Sequence, residues 1–94
     1  MNEKQFSYFL ENDWEILDNE KQASKIFEFK NFKRAFTWMT SLAFEVESQN
    51  HHPEWQNIYN KVEVTLTTHD MGMLSEKDIR LAILMDAEFE KYNN

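Results

Sequence analysis

The chain has no cysteine, and only one glycine and one proline among its 94 residues. Without thiols it has no disulfide framework, no thiol nucleophile and no cysteine-type zinc site. No apolar run approaches the roughly 18 residues that a membrane span needs, and the first five residues lack the apolar segment of a signal peptide. We therefore expect one cytoplasmic domain over residues 1–94, with no membrane association.

Basic residues are also few, 10 against 17 acidic ones, for a formal net charge of −7. Lysine and arginine do not cluster, so the sequence argues against direct nucleic-acid binding, which needs several adjacent phosphate contacts. Hydrophobic residues make up 41% of the chain and aromatic residues 15%. This composition excludes intrinsic disorder and indicates a well-filled core.

Hydrophobic periodicity and capping residues predict seven elements in the order α-β-β-α-β-β-α. They are a helix opening at Asn2, strands Trp14–Leu17 and Lys25–Lys30, a helix opening at Asn31, strands Trp55–Tyr59 and Lys61–Thr68, and a helix opening at Ser75. This order predicts an α+β fold, a single four-stranded antiparallel sheet with three helices on one face.

Two of the predicted helices carry strong apolar patterns. In the long helix from Asn31, one stripe at helical spacing predicts the core face: Phe32, Ala35, Phe36, Met39, Leu42, Ala43 and Val46. In the last helix, the run Leu81–Met85 is apolar in every direction. Because such a helix buries more than one face, we expect this run to contact a second subunit.

All three histidines lie close to the single proline and the single glycine, between His51 and Gly72. Pro53 disfavours helix at the residue before it, so the long helix should end at Gln49 to His51 and leave the His51–His52 pair just beyond it. The alternation of the fourth strand, continued one residue beyond Thr68, places His69 on the polar face. Histidine titrates near neutral pH, so this clustering favours a role as acid, base or ligand.

Four interpretations of the histidines remain open from the residues alone. They are structural residues, metal ligands, partners of a nucleophile, or acid–base groups acting on a bound small molecule. The metal hypothesis is weak because adjacent His51 and His52 diverge in direction, and the nucleophile hypothesis lacks a serine or cysteine signature. Two acidic residues could orient these imidazoles, Glu47 and Asp78. Alternatively, Glu47 is a solvated helix residue and Asp78 is the capping partner of Ser75.

The spacing of these residues resembles a known signature. The pattern is Glu47-x3-His51-His52-Pro53-x5-Tyr59-x9-His69-x8-Asp78, and the flanking segments Phe29–Phe32, Arg34–Phe36, Pro53–Trp55, Tyr59–Val62 and Leu74–Asp78 extend it. It is similar to that of the pterin-4a-carbinolamine dehydratases, also known as the dimerisation cofactor of a homeodomain transcription factor. The resemblance runs from about Trp14 to the last helix.

The resemblance implies a lyase that removes water from 4a-hydroxytetrahydropterin to give quinonoid dihydropterin, in tetrahydrobiopterin recycling, with no metal or organic cofactor. It implies His51 as the acid at the departing hydroxyl and His69 as the partner at N5, with the reverse assignment left open, and His52 mainly as a pterin-orienting residue. The substrate-binding set it implies is Glu47, Asn50, His51, His52, Pro53, Thr67, Thr68, His69, Asp70 and Trp14. Asp78 and Lys77 are implied as supporting residues behind them.

Two positions depart from the family pattern. Asn50 stands where aspartate is frequent, which removes a negative charge beside the histidine pair, and Lys77 stands where arginine is common, which replaces a rigid fork by a flexible ammonium. Both changes affect the charge and the hydrogen bonding expected around the histidines and leave the implied reaction class unchanged.

The resemblance also implies partners: a homotetramer built as a dimer of dimers, and a functional link to an aromatic amino acid hydroxylase. Two alternatives remain. One is a non-catalytic binding module that stabilises a partner's dimerisation helix, and the other is a protein of this fold acting on a different pterin, such as a molybdopterin precursor. The three histidines favour the enzyme, because a scaffold has no need of three imidazoles in one region.

Overall fold

Three helices cover one face of a four-stranded antiparallel sheet in the computed structural model, which describes residues 1–93. The elements are α1 (Glu3–Glu11), β1 (Glu15–Leu17), β2 (Gln22–Glu28), α2 (Phe32–Gln49), β3 (Glu54–Ile58), β4 (Lys61–Leu66) and α3 (Glu76–Tyr92). The strand order is β1-β2-β4-β3. The predicted fold class and element order are confirmed, and Asn94, the last residue of the predicted domain, lies outside the described residues.

Each helix begins at a residue whose side chain caps the free backbone N–H groups of its first turn. The side chain of Asn2 accepts a hydrogen bond from the backbone of Gln5, and Asn31 accepts one from Arg34. Ser75 and Asp78 form a reciprocal capping box at α3. These interactions are local in sequence, so the helix starts were predicted correctly.

The strand boundaries were predicted less well. Strand β2 begins at Gln22 and not at Lys25, because Ala23 pairs with Leu66 of β4 and extends the ladder toward the turn after β1. Strand β1 begins at Glu15, one residue after the predicted start, and β3 runs Glu54–Ile58, one residue earlier than predicted. Strand β4 ends at Leu66, where the predicted strand continued to Thr68.

The core lies between the sheet and the helices, and strand alternation decides which side chains enter it. Val62, Val64 and Leu66 of β4 are fully buried, whereas Glu63 between them is exposed on the opposite face. Trp38 of α2 packs its ring 4.6 Å from that of Phe27. The sheet therefore has one apolar face beneath the helices and one polar face.

Helix α2 is rotated from its predicted orientation. Its buried residues are Ala35, Trp38, Leu42 and Val46, while Phe32, Phe36 and Ala43 from the predicted core stripe are exposed. Burial of the large Trp38 indole between Phe27 and Phe29 fixes this rotation, and an apolar stripe some 100° wide could not distinguish the two orientations.

Helix α3 buries its apolar run within its own chain. Leu81, Ala82 and Met85 are completely buried, because α3 packs against α2 and also against α1. Ile83 is the residue of the run that stays exposed. Burial of these three residues therefore does not require a second subunit, because α1 covers the additional face, and contact of the run with a second subunit stays a prediction. No helix within residues 1–93 is both long and apolar enough to cross a membrane.

Candidate active site

The His51–His52 pair follows a left-handed turn at the end of α2. The helix ends at Gln49, as predicted, and Asn50 adopts φ +52°. The N–H of Asn50 donates to the carbonyl of Glu47, and the N–H of His51 donates to the carbonyl of Val46. Asparagine tolerates this conformation better than most residues, and the turn directs His51 back toward the start of α3.

His51 is held by a buried carboxylate on α3. Its Nε2 lies 2.6 Å from Oδ1 of Asp78, with side-chain exposures of 9% for His51 and 0% for Asp78. The other oxygen of Asp78 accepts hydrogen bonds from the Thr68 hydroxyl at 2.8 Å and from the Ser75 backbone at 2.9 Å. Asp78 therefore has both of the roles that the sequence left open, since it caps α3 and orients His51. Because Asp78 occupies Nε2, Nδ1 is the nitrogen of His51 that remains for a ligand.

The other two histidines also lie beside carboxylates, but in solvent. Nε2 of His52 is 2.9 Å from Oε1 of Glu47, with side-chain exposures of 56% and 82%. Nε2 of His69 is 3.0 Å from Oε2 of Glu54, with exposures of 71% and 55%. Glu54 was not among the predicted site residues. Its position opposite Thr65 in the β3–β4 ladder puts it on the polar face that was predicted for His69.

The loop after β4 carries four of the predicted substrate-binding residues. Thr67 donates its hydroxyl to the carbonyl of Lys21, and Thr68 is buried in the Asp78 network. His69 and Asp70 are exposed in the turn that follows. This turn closes on Gly72, which has φ +66° and hydrogen bonds from its N–H to the carbonyls of Thr68 and His69.

A cavity of about 290 Å³ opens beside His51 and is lined by Gln49, His51, Lys77 and Arg80. A second cavity, of about 390 Å³, shares Lys77 and Arg80 with the first. Its remaining lining residues are Met1, Gln5, Met71, Met73, Leu74, Ser75 and Glu76. Lys77 was predicted as a supporting residue, whereas Gln49 and Arg80 were not predicted at all, because nothing in their local pattern distinguishes them from solvated helix residues.

Trp14 lies in the core and not beside the histidines. Its ring packs against Phe9 and Phe27, and its indole N–H donates to Asp86 of α3 at 2.9 Å. Asp86 also accepts from the Tyr8 hydroxyl at 2.7 Å and from Lys25 at 2.7 Å. Burial, followed by the hydrogen bond to Asp86 and the charge of that carboxylate, raises the pKa of Tyr8 above its usual range.

Pro53 is half-buried between His52 and the start of β3. Within residues 1–93, no group of three or more histidine and carboxylate side chains comes together in a way that could hold a metal ion. Each histidine instead lies beside its own carboxylate, as described above. The buried His51–Asp78 pair can therefore hold its imidazole in a fixed orientation for proton transfer.

Comparison with known proteins gives consistent matches. The family model described as pterin 4 alpha carbinolamine dehydratase matches residues 1–88. Proteins provisionally named pterin-4-alpha-carbinolamine dehydratase are similar: one from Jannaschia sp. is 53% identical over 76 residues, covering 81% of this chain and 78% of the relative. Another, from Rhizobium meliloti, is 51% identical over 77 residues, covering 82% and 74% respectively.

Two solved structures share the fold. A crystal structure described as a transcriptional coactivator/pterin dehydratase from Brucella melitensis is 37% identical, with a TM-score of 0.84 over 94% of this chain and 96% of that one. A pterin dehydratase-like protein described as a RuBisCO assembly factor in the alpha-carboxysome is 21% identical, with a TM-score of 0.70 over 81% and 88%. The second match shows a common fold alone.

Proposed function

Because the chain belongs to the pterin-4a-carbinolamine dehydratase family, we propose that it removes water from a 4a-hydroxytetrahydropterin to give the quinonoid dihydropterin. The observation that carries this proposal is the buried His51–Asp78 pair beside a cavity. A buried imidazole oriented by a carboxylate is suited to proton transfer, since its position and its tautomer are both fixed. The proposal needs no metal or organic cofactor, because the pterin is the substrate.

The reaction demands one proton donor and one proton acceptor. The bond between C4a and the hydroxyl oxygen breaks, the hydroxyl leaves as water after receiving a proton, and N5 loses its proton as the C4a–N5 double bond forms. The number of protons on the protein is unchanged after one donation and one removal. Two imidazoles near the ring satisfy this balance, each contributing on the order of 10²–10⁴-fold.

We assign protonation of the departing hydroxyl to His51. With Nε2 held by Asp78, the ring presents Nδ1 to the ligand, and the Asp78 carboxylate stabilises the protonated imidazole from behind. The capping of α3 by the same carboxylate ties this orientation to the helix. Asp78 is therefore a positioning residue in the proposal, as Glu47 is for His52.

We assign removal of the N5 proton to His69 and orientation of the pterin ring to His52. The reverse assignment, with His69 at the hydroxyl and His51 at N5, is also open. Both histidines are exposed and lie beside carboxylates of their own. Glu54 joins the proposed site as the residue that restrains His69. Asn50, Pro53, Thr67, Thr68 and Asp70 flank these imidazoles in sequence and complete the proposed substrate-binding set, whereas the core position of Trp14 gives it no role in this proposal.

The direct test follows the ultraviolet absorbance of 4a-hydroxytetrahydropterin that an aromatic amino acid hydroxylase generates in the same cuvette. Wild-type protein should accelerate the decay, and His51→Ala and His69→Ala should each lose about 10²-fold or more of that acceleration. Wild-type protein that leaves the decay at its spontaneous rate would contradict the enzyme assignment and would favour the binding-module alternative.

The proposal includes assembly into a homotetramer, a dimer of dimers, and the surface of α2 supports association. Four of its residues, Phe32, Phe36, Met39 and Ala43, follow the 4-3-4 spacing of a helix–helix seam. Phe32 is 47% exposed and Phe36 53% exposed, and their rings lie 5.5 Å apart. An apolar stripe of this kind on a helix is typical of an interface.

Light scattering on a size-exclusion column tests the assembly. Wild-type protein at micromolar concentration should elute with the mass of four chains, and Phe36→Asp should reduce that mass. Leu10→Asp is the matched control, since Leu10 is an exposed apolar residue of α1, 65% accessible and remote from the seam in sequence. A wild-type monomer, or equal dissociation by both variants, would contradict the assignment of the α2 seam.

A further inference from the structure

Two cations, Lys77 and Arg80, lie on one side of α3 and line both of the cavities near His51. We propose that this cleft accepts a pterin whose side chain carries an anionic group, a carboxylate or a phosphate, and that Lys77 and Arg80 bind that group. The inference rests on the proposed function, because it assigns a substrate class to the same site.

The first support is that the two cations have no carboxylate partners. Neither Lys77 nor Arg80 forms an ion pair with any residue in the range 1–93. Glu76 precedes Arg80 by four residues, a spacing at which ion pairs commonly form on a helix, yet no pair forms between them. The guanidinium and the ammonium therefore remain available to an external anion.

The second support comes from the charges around the pair. In a chain of net charge −7, two like charges three residues apart repel each other on the helix surface unless an anion lies between them. The acidic groups closest in sequence are Glu76, which lines the second cavity, and Asp78, whose two oxygens are already occupied by His51, Thr68 and Ser75. Asp78 is thus buried and engaged by other partners, and of these two acidic residues Glu76 is the one that lines a cavity with the cations.

The third support is the composition of the cleft. The first cavity contains the imidazole of His51, and the second contains the apolar side chains of Met71, Met73 and Leu74. Lys77 and Arg80 belong to both. Methionine side chains adapt to irregular ligands, so they suit the aliphatic part of a substituent, while arginine forms paired hydrogen bonds with carboxylate and phosphate. A ring at His51 with an anionic side chain that passes the two cations would use both cavities.

Equilibrium binding tests the inference without catalysis. Quenching of tryptophan fluorescence is measured with neutral 6-hydroxymethylpterin, pterin-6-carboxylate and a phosphate ester of 6-hydroxymethylpterin, each at low and at physiological salt. At least one of the two anionic pterins should bind about tenfold more tightly than the neutral one. Added salt should weaken only the anionic ligand. Equal affinity for all three pterins would overturn the inference.

Substitutions test whether Lys77 and Arg80 are the residues that give the preference for anionic pterins. Arg80→Gln should weaken binding of the preferred anionic pterin by about tenfold and change binding of the neutral pterin by less than about twofold, since only a charge-assisted contact is removed. Lys77→Gln should act in the same direction with a smaller effect. Lys61→Gln is the control, because it removes the same unit of charge from an exposed residue at the start of β4. Loss of affinity in the Lys61 variant equal to that in the Arg80 variant would show a non-specific charge effect and contradict the site.

The two proposals fail in different ways. If 4a-hydroxytetrahydrobiopterin, whose side chain is neutral, is dehydrated but anionic pterins gain no affinity, the inference on the side chain fails and the proposed function stands. If the pterins bind with the predicted selectivity but no substrate is dehydrated, the anion site stands and the enzymatic proposal fails.

Discussion

Helix α3 carries two carboxylates that accept hydrogen bonds in the same pattern, Asp78 in its first turn and Asp86 in its second half. In each, one oxygen contacts a group that can carry positive charge, His51 at Asp78 and Lys25 at Asp86. The other oxygen of each accepts two neutral donors. These donors are the Thr68 hydroxyl and the Ser75 N–H at Asp78, and the Tyr8 hydroxyl and the Trp14 indole at Asp86.

The difference lies in the charged partner. Lys25 donates also to the carbonyl of Asn12, and its Nζ lies 4.8 Å from the ring centre of Phe27. It is fixed within the protein and joins α1, β2 and α3. His51 carries an imidazole, a side chain that can both donate and accept a proton, and it lines a cavity. The same carboxylate geometry therefore supports structure at Lys25, and in the proposed function it supports proton transfer at His51, whose imidazole lines a cavity.

The sharpest test of this difference is Asp78→Asn. We expect the dehydration rate to fall by about 10²-fold or more, because the amide neither stabilises a protonated His51 nor fixes its tautomer. The pH–rate profile should shift as well, which a purely structural defect would not cause.

Ser75→Ala serves as the control for Asp78→Asn. It removes the capping hydroxyl but keeps the His51–Asp78 contact, so it should reduce the free energy of unfolding by about 1 kcal/mol and leave the rate within a few-fold. An Asp78→Asn rate close to wild type would show that the two carboxylates are both structural.

In the second half of α3, Asp86→Asn should act on stability. Lys25 and Asp86 are each only 16% exposed, so loss of the charge leaves a mostly buried ammonium without its counterion. We expect the free energy of unfolding in urea to fall by about 3 kcal/mol while the rate per folded molecule stays within a few-fold. Lys91→Gln, which removes the exposed Lys91–Glu88 pair from the same helix, should leave the unfolding midpoint unchanged. A large loss of activity in folded Asp86→Asn protein would contradict the purely structural role of Asp86.

The hydrogen-bonded cluster around Asp86 should also respond to alkaline pH. Because the pKa of Tyr8 is raised in the fold, the unfolded chain loses the phenol proton first, and the stability that Tyr8 contributes declines as pH rises beyond its usual pKa of about 10. Tyr8→Phe should reduce the free energy of unfolding by about 1 kcal/mol at pH 8 and flatten its decline between pH 9 and 11. Urea midpoints measured across this range check both effects, and an unchanged alkaline slope would contradict them.

The smallest effect is expected at the exposed pair of His69 and Glu54. Glu54→Gln should change the rate by less than about fivefold and stability by less than about 1 kcal/mol, because both side chains are more than half exposed and solvent screens their interaction. A loss as large as that of Asp78→Asn would show that Glu54 becomes buried when the ligand binds.

Much of the fold could be predicted because its signals are local. Asn2, Asn31 and Ser75 cap helices within their own first turns, and Pro53 acts on its neighbour. The rotation of α2 could not be predicted, because it depends on where the Trp38 ring fits against β2, a contact between distant segments.

The candidate site also has features that the sequence predicts and features that depend on contacts between distant segments. The spacing of the histidines and Asp78 was visible in the sequence, and the structure adds the 2.6 Å contact between His51 and Asp78. The contact of Glu54 with His69 depends on strand register, and the exposure of Arg80 to the cleft depends on how α3 lies against the end of α2. Neither is encoded in a short pattern. Trp14 shows the converse, since the resemblance suggested a place in the pocket and the structure buries the residue in the core.

The single glycine of the chain has a consequence for chemical synthesis. Gly72 holds φ at +66° in the loop that carries His69, and a Cβ atom added there would meet nothing within 4 Å. An L-residue would be strained at this φ, but a D-amino acid favours it, since mirror-image side chains prefer the mirror-image region of backbone space. D-Alanine at position 72 of a chemically synthesised chain would therefore reduce the freedom of the unfolded loop by an amount equivalent to about 0.4–1 kcal/mol.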